Sequence, residues 1–140
     1  MPLSNDPVFV QNPKITPAAF TNADSANTKK TVVTAGANGT KLFALTAASS
    51  DTAARVVQVW LTRGGTSYLL NALSIPAASG SDGATPNVDI LNNTIWPGIP
   101  FDGQAQSFLF LQSGDTLQVS LTTQVTATKE VDVVSVTADF

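Results

Sequence analysis

A chain of 140 residues with 43% hydrophobic and only 12% charged side chains has the length of one domain and about half the usual charged fraction of roughly 25%. Its formal net charge of −3 and pI near 4.5 argue against a nucleic-acid partner, because such binders present basic patches. Neither cysteine nor histidine occurs, which removes disulfides, thiolate chemistry, zinc–sulfur sites and the commonest general base and metal ligand.

The first segment, MPLSNDPVFVQNP, has no basic start, no apolar core of signal length and no small-residue cleavage site. No run of about 18 apolar residues follows, so no membrane partner is expected, and synthesis and assembly are placed in the cytoplasm. Pro2, Pro7, Pro13 and Pro17 are spaced too closely for a helix, and each removes a ladder donor. Residues 1–20 therefore read as an extended arm ahead of a domain at 21–140. The apolar Val8, Phe9, Val10 and Phe20 of that arm need cover, and their contacts are expected outside the chain's own sandwich.

The segment TNADSANTKK reads as a loop, and Lys29-Lys30 protects the edge of the strand KTVVT that follows. Asn38-Gly39 signals a hairpin into TKLFALTAAS, whose Leu42, Phe43 and Leu45 fall on both faces. In RVVQVWLTRGGTSYLLNALSI, residues 55–75, Gly64-Gly65 supplies the positive φ of a tight hairpin turn. Counting back from that turn, one face holds Val57, Val59, Leu61, Tyr68, Leu70 and Ala72, a core face. The other pairs Thr62 with Ser67, Trp60 with Leu69, Gln58 with Asn71 and Val56 with Leu73, half apolar and half polar. That second face suits neither a dry core nor a wet surface and is expected to be covered by another chain or by the arm. Trp60→Ser is accordingly expected to change folding stability by no more than about 1 kcal/mol.

PAASGSDGATP reads as a loop, and NVDILNNTIWPGIPFDGQAQ as one helical turn at Asp89–Asn93 followed by a proline-punctuated crossing. SFLFLQ, TLQVSLTTQ and EVDVVSVTADF close the chain as a three-strand meander. Leu117, Val119 and Leu121 alternate with Gln118, Ser120 and Thr122 at period two, whereas Phe108–Leu111 leave no polar face and read as covered on both sides. About eight short strands and no helix of ordinary length give an all-β, single-domain antiparallel β-sandwich, jelly-roll-like.

Chemistry is sparse. Asp24, Asp51, Asp82, Asp102 and Asp115 lie in turn sequences, where carboxylates accept local backbone hydrogen bonds. SDG and SGD lack the ligand spacing of a calcium loop, and RGGT lacks the lysine and helix of a phosphate loop. A serine nucleophile would need Lys14, Lys41 or Lys129 as its base, and none sits in a nucleophile motif. No catalytic residue, metal or cofactor is expected. Trp60, Tyr68 and Trp96 have three readings: interface anchors, core, or a sugar-stacking platform, the first favoured because aromatics concentrate at interfaces.

The succession SSDTAARVVQVWLT, GGTSYLL, WPGIPFDG and LFLQSGDTLQVSLTT, within residues 31–137, resembles the head-decoration, or cement, proteins of tailed bacteriophages. The resemblance implies a jelly-roll-like sandwich on the capsid exterior, seated as dimers or trimers over joints between major capsid protein units. Such a clamp works by burying area on the mature shell, opposing expansion and internal pressure, with many weak contacts adding through multivalency. The interface residues expected here come from the pairing above: Trp60, Leu69, Val56, Leu73, Gln58 and Asn71, with the arm residues Val8, Phe9, Val10 and Phe20. The alternatives are a phage tail or baseplate component and a carbohydrate-binding β-sandwich module.

Overall fold

The computed structural model describes residues 9–140, so Val8 lies outside the described residues. The fold is one long antiparallel hairpin rolled up on itself. Its tip is Gly64-Gly65, with φ of 57° and 80°, values open to glycine and strained for a β-branched residue. From the tip, β4 (Arg55–Arg63) pairs with β5 (Thr66–Ile75), and β3 (Thr40–Ser49) pairs with both β6 (Val88–Asp89) and β7 (Leu109–Leu111). Next, β2 (Lys30–Thr34) pairs with β8 (Thr116–Leu121), and β1 (Asn12–Thr21) with β9 (Glu130–Asp139). Further pairing of β9 with β3 and of β8 with β4 closes two sheets, β1-β9-β3-β6 with β7 also on β3, and β2-β8-β4-β5. This is the strand order of a jelly roll, and no helix occurs among the described residues.

The core lies between the sheets. Phe20, Leu42, Leu45, Val131 and Val133 of the five-stranded sheet meet Val32, Val57, Val59, Leu117 and Val119 of the four-stranded sheet, all buried. Leu117, Val119 and Leu121 are buried as expected, but Ser120, expected on the exposed side of the alternation, is buried as well. A bulge between Leu42 and Ala44 lets Leu42 and Leu45 both face inward while Phe43 stays 40% exposed.

Several expectations need correction. Residues 12–20 are not an arm: β1 is a full-length edge strand, with Ala18 and Phe20 buried in the chain's own core. Pro13 and Pro17 are tolerated because they share one parity on an edge strand, where alternate N–H positions face away from the ladder. The turn at Asn38-Gly39 joins β2 and β3 in different sheets, so it is a crossover rather than a hairpin. The last three strands alternate between sheets instead of forming a meander, and Phe110 is 58% exposed rather than covered. The single helical turn lies later than expected, where the Trp96 N–H donates to the Asn92 carbonyl at 2.8 Å.

The hairpin register differs in its lower half. Trp60 opposes Leu69 and Leu61 opposes Tyr68 as expected, but a bulge at Leu70 makes Val59 oppose Asn71, Gln58 oppose Ala72 and Val57 oppose Leu73. A one-residue slip exchanges the faces of a strand, so Leu73 packs against the core and Asn71 leaves the outer face. Tyr68, expected in the core, is 53% exposed, although its cross-strand partner Leu61 packs against the core.

Candidate functional site

The expected surface is the outer face of the four-stranded sheet. Register across β2, β8, β4 and β5 sets Thr31, Gln118, Trp60 and Leu69 in one row. Hydrogen bonds knit the polar part of this face into a mat. Ser67 and Thr62 share a bond of 2.8 Å, the Thr62 hydroxyl donates to Gln118 Oε1 at 2.9 Å, and the Gln118 amide reaches Thr31 Oγ1 at 3.3 Å. Trp60 Nε1 donates to Ser120 Oγ at 2.9 Å, and that hydroxyl donates on to Gln58 Oε1 at 3.2 Å. Lys29 Nζ stands 4.1 Å from the Trp60 ring centroid, a cation–π contact. Trp60 is thus half-buried and pinned by its own sheet, while Leu69 is 50% and Val56 37% exposed beside it.

Of the ten residues expected at an interface, the structure gathers Val56, Gln58, Trp60 and Leu69 on this one face. Leu73 and Asn71 are turned off it by the bulge, and the Asn71 amide donates to the Ile95 carbonyl at 3.2 Å. Phe20 is core. Phe9 is exposed and Val10 half-buried just before Gln11, whose N–H donates to the Asp139 carbonyl, so both lie by the other sheet.

A second apolar surface escaped the sequence reading. On the five-stranded sheet, Phe43, Phe108 and Phe110 surround the Lys41 ammonium at 5.0, 4.8 and 5.9 Å from their centroids. Phe140 joins them, its ring 5.8 Å from that of Phe110. The available signal was the period of two between Phe108 and Phe110, masked by the leucines that alternate with them.

The turn carboxylates behave as expected. Asp82 accepts from the N–H groups of Ala84 and Thr85, Asp102 from those of Gln104 and Gln106, and Asp24 from that of Thr21. The arginine partners of Asp51 and Asp115 went unforeseen. Arg55 Nε donates to Asp51 at 2.7 Å, and Arg63 grips Asp115 through two bonds of 2.6 Å, one pair at each end of β4. Burial opposes ionisation of Asp51, but bonds from Arg55, Thr126 and Ala53 outweigh it and hold the carboxyl well below the usual range. Arg63 lowers Asp115 likewise, against burial. Asp132 moves upward, raised by burial and then by the neighbouring Glu130 charge. Among the described residues no three His, Cys, Asp or Glu side chains converge as metal ligands.

No protein-family model matches the chain, and no curated protein matches it. Among solved structures it is similar to a chain described as the cyanophage Pam1 capsid asymmetric unit. That alignment has 15% identity, covers 99% of this chain and 91% of the other, and has a TM-score of 0.46.

Beyond these surfaces, a cleft of about 590 Å³ opens beside β3. Phe43, Thr46, Asp89, Asn92 and Gln106 are among its lining residues.

Proposed function

We propose that this chain is a non-enzymatic virion structural protein, a capsid decoration subunit. It binds the exterior of an assembled shell as a homo-oligomer and clamps adjacent major capsid protein units. The observation that carries this reading is an imbalance on the surface. Every buried side-chain nitrogen and oxygen among the described residues has a hydrogen-bond partner, so no buried polar group asks for a ligand. Large apolar side chains are left over, with Val56 and Leu69 set on a rigid hydrogen-bonded face around Trp60. Such a face gains by burial against another protein, about 1.5–3 kcal/mol for each large side chain fully covered. The decoration-protein resemblance of the segments around this hairpin supports the same reading.

The test is sedimentation of the purified chain with undecorated heads of the parent phage. The wild type is expected to co-sediment, and Val56→Lys to bind about tenfold more weakly, a loss of about 1.4 kcal/mol. Absence of wild-type binding to heads overturns the reading. A second reading, a carbohydrate-binding module, is favoured by the cleft, where the Phe43 ring stands among amide and hydroxyl side chains. Binding on a glycan array that is lost in Phe43→Ala would establish it in place of the first.

A further inference from the structure

The outer face of the five-stranded sheet is built differently from that of the other sheet. Its three long strands lie in the order β1-β9-β3, and their outward positions alternate with the buried ones. Pairing sets Ile15, Val136 and Ala44 in one row and Pro17, Val134 and Thr46 in the next. Thr46 is the one polar side chain in these two rows, and Ile15 is 72% exposed. The solvated face of an antiparallel sheet ordinarily carries polar side chains, so this face is apolar where water should be.

Charge flanks these rows and is segregated between the two ends of the face. At one end Glu130 and Asp132 project from β9, with Asp89 of β6 beside Thr46 on the same half. At the other end Lys41 projects from β3 beside Ala138, roughly 20 Å along the strands from Asp132. Neither end has its counter-ion nearby. Among the described residues the ion pairs are Lys14–Asp139, Lys30–Asp24, Arg55–Asp51 and Arg63–Asp115. Asp102 feels the Lys41 charge, but its carboxyl is bonded to the N–H groups of Gln104 and Gln106.

We infer that this face packs on the same face of a second copy of the chain, about a two-fold axis running across the strands, so that Lys41 of each copy meets Asp132 and Glu130 of the other. Charge complementarity selects both the occupant and the direction. A two-fold axis along the strands would stack like charges at each end. One across them lays β3 on its counterpart reversed, which sets Lys41 over Ala48, the ladder neighbour of Asp132. The same axis brings Ile15 over Pro17 and Val134 over Val136, side chains that interdigitate as in aligned sheet pairs. Ten residues of strand by four strand positions cover roughly 600 Å² on each copy, and about 1,200 Å² in all is the lower end of specific interfaces. The Trp60 face of each copy stays free. The inference rests on the decoration reading above only for the homo-oligomer it supposes, and it is tested without capsids.

Sedimentation velocity over a concentration series is expected to show a monomer–dimer equilibrium, mostly dimer by about 100 µM. Ile15→Lys, at an exposed position, should weaken dimerisation at least about tenfold and leave the melting curve of the dilute protein unchanged. Lys41→Asp and Asp132→Lys should each weaken it about tenfold by setting like charges together. The double variant should return to within about threefold of wild type, a rescue that damage to the fold would not give. A wild type that stays monomeric, a dimer that Ile15→Lys leaves intact, or a double variant no tighter than the single ones overturns the inference. Decoration is read separately, by sedimentation with heads. A wild type that dimerises without binding heads fails that reading alone, and one that binds heads as a monomer fails this one alone.

Discussion

Replacing Trp60 separates a side chain that merely awaits a partner from one that already holds its own sheet. Trp60→Ser removes three contributions visible in the structure. The indole bond to Ser120 at 2.9 Å is worth about 1 kcal/mol net. The Lys29 contact at 4.1 Å adds about 0.5–1 kcal/mol at a partly exposed site. The covered part of the half-buried ring adds about 1 kcal/mol more. Trp60→Ser should therefore cost about 2–3 kcal/mol, more than the roughly 1 kcal/mol expected of a free surface residue. Trp60→Phe, which keeps most of the ring and loses the donor, should cost about 1 kcal/mol. Leu69→Ser, at a side chain 50% exposed, should cost no more than about 1 kcal/mol. Urea unfolding of the three variants at a concentration where the protein is monomeric gives these values from the midpoint at constant slope. A Trp60→Ser loss below about 1 kcal/mol would show that the hydrogen-bonded mat does not hold the indole. A loss above about 4 kcal/mol would place Trp60 in the core instead.

Two other outcomes follow from burial and charge. Phe20→Ala should cost about 3–5 kcal/mol, because a ring only 2% exposed is removed from between the sheets; a near-neutral melting temperature would restore the arm reading of residues 12–20. Asp51 has a folded pKa below its ordinary value of 3.8, so its stabilisation is fully present above that value and is lost as pH falls below it toward the folded one. Asp132 has the opposite sign: its raised folded pKa makes ionisation unfavourable to folding, so its contribution is lost as pH rises through that raised value. Denaturation from pH 7 to pH 2 should show a shallower acid loss in Asp51→Asn and a gain at neutral pH in Asp132→Asn, and slopes identical to wild type would refute both assignments.

The features legible in the sequence are those set within a few residues. Gly64-Gly65 marks the tip because only a positive φ closes a two-residue turn, and Asp24, Asp82 and Asp102 bond to N–H groups no more than four residues away, as Asp102 does to Gln106. Leu117, Val119 and Leu121 declare their buried face through a period of two that belongs to one strand. Which strand lies beside which was decided only by the tertiary structure. Pro13 and Pro17 argue locally against a core strand, and their place on an edge, set by pairing with Ala138 and Val134 more than a hundred residues away, makes a full-length strand possible. The single extra residue at Leu70 is invisible to period counting, yet it moved Leu73 into the core and Asn71 off the outer face. Phe108 and Phe110 became an exposed cluster because β7 took a place beside Lys41 at the sheet edge. Alternation tells a residue which neighbours share its side; partners from distant parts of the chain determine which side is buried, and a slip of one residue reverses the assignment.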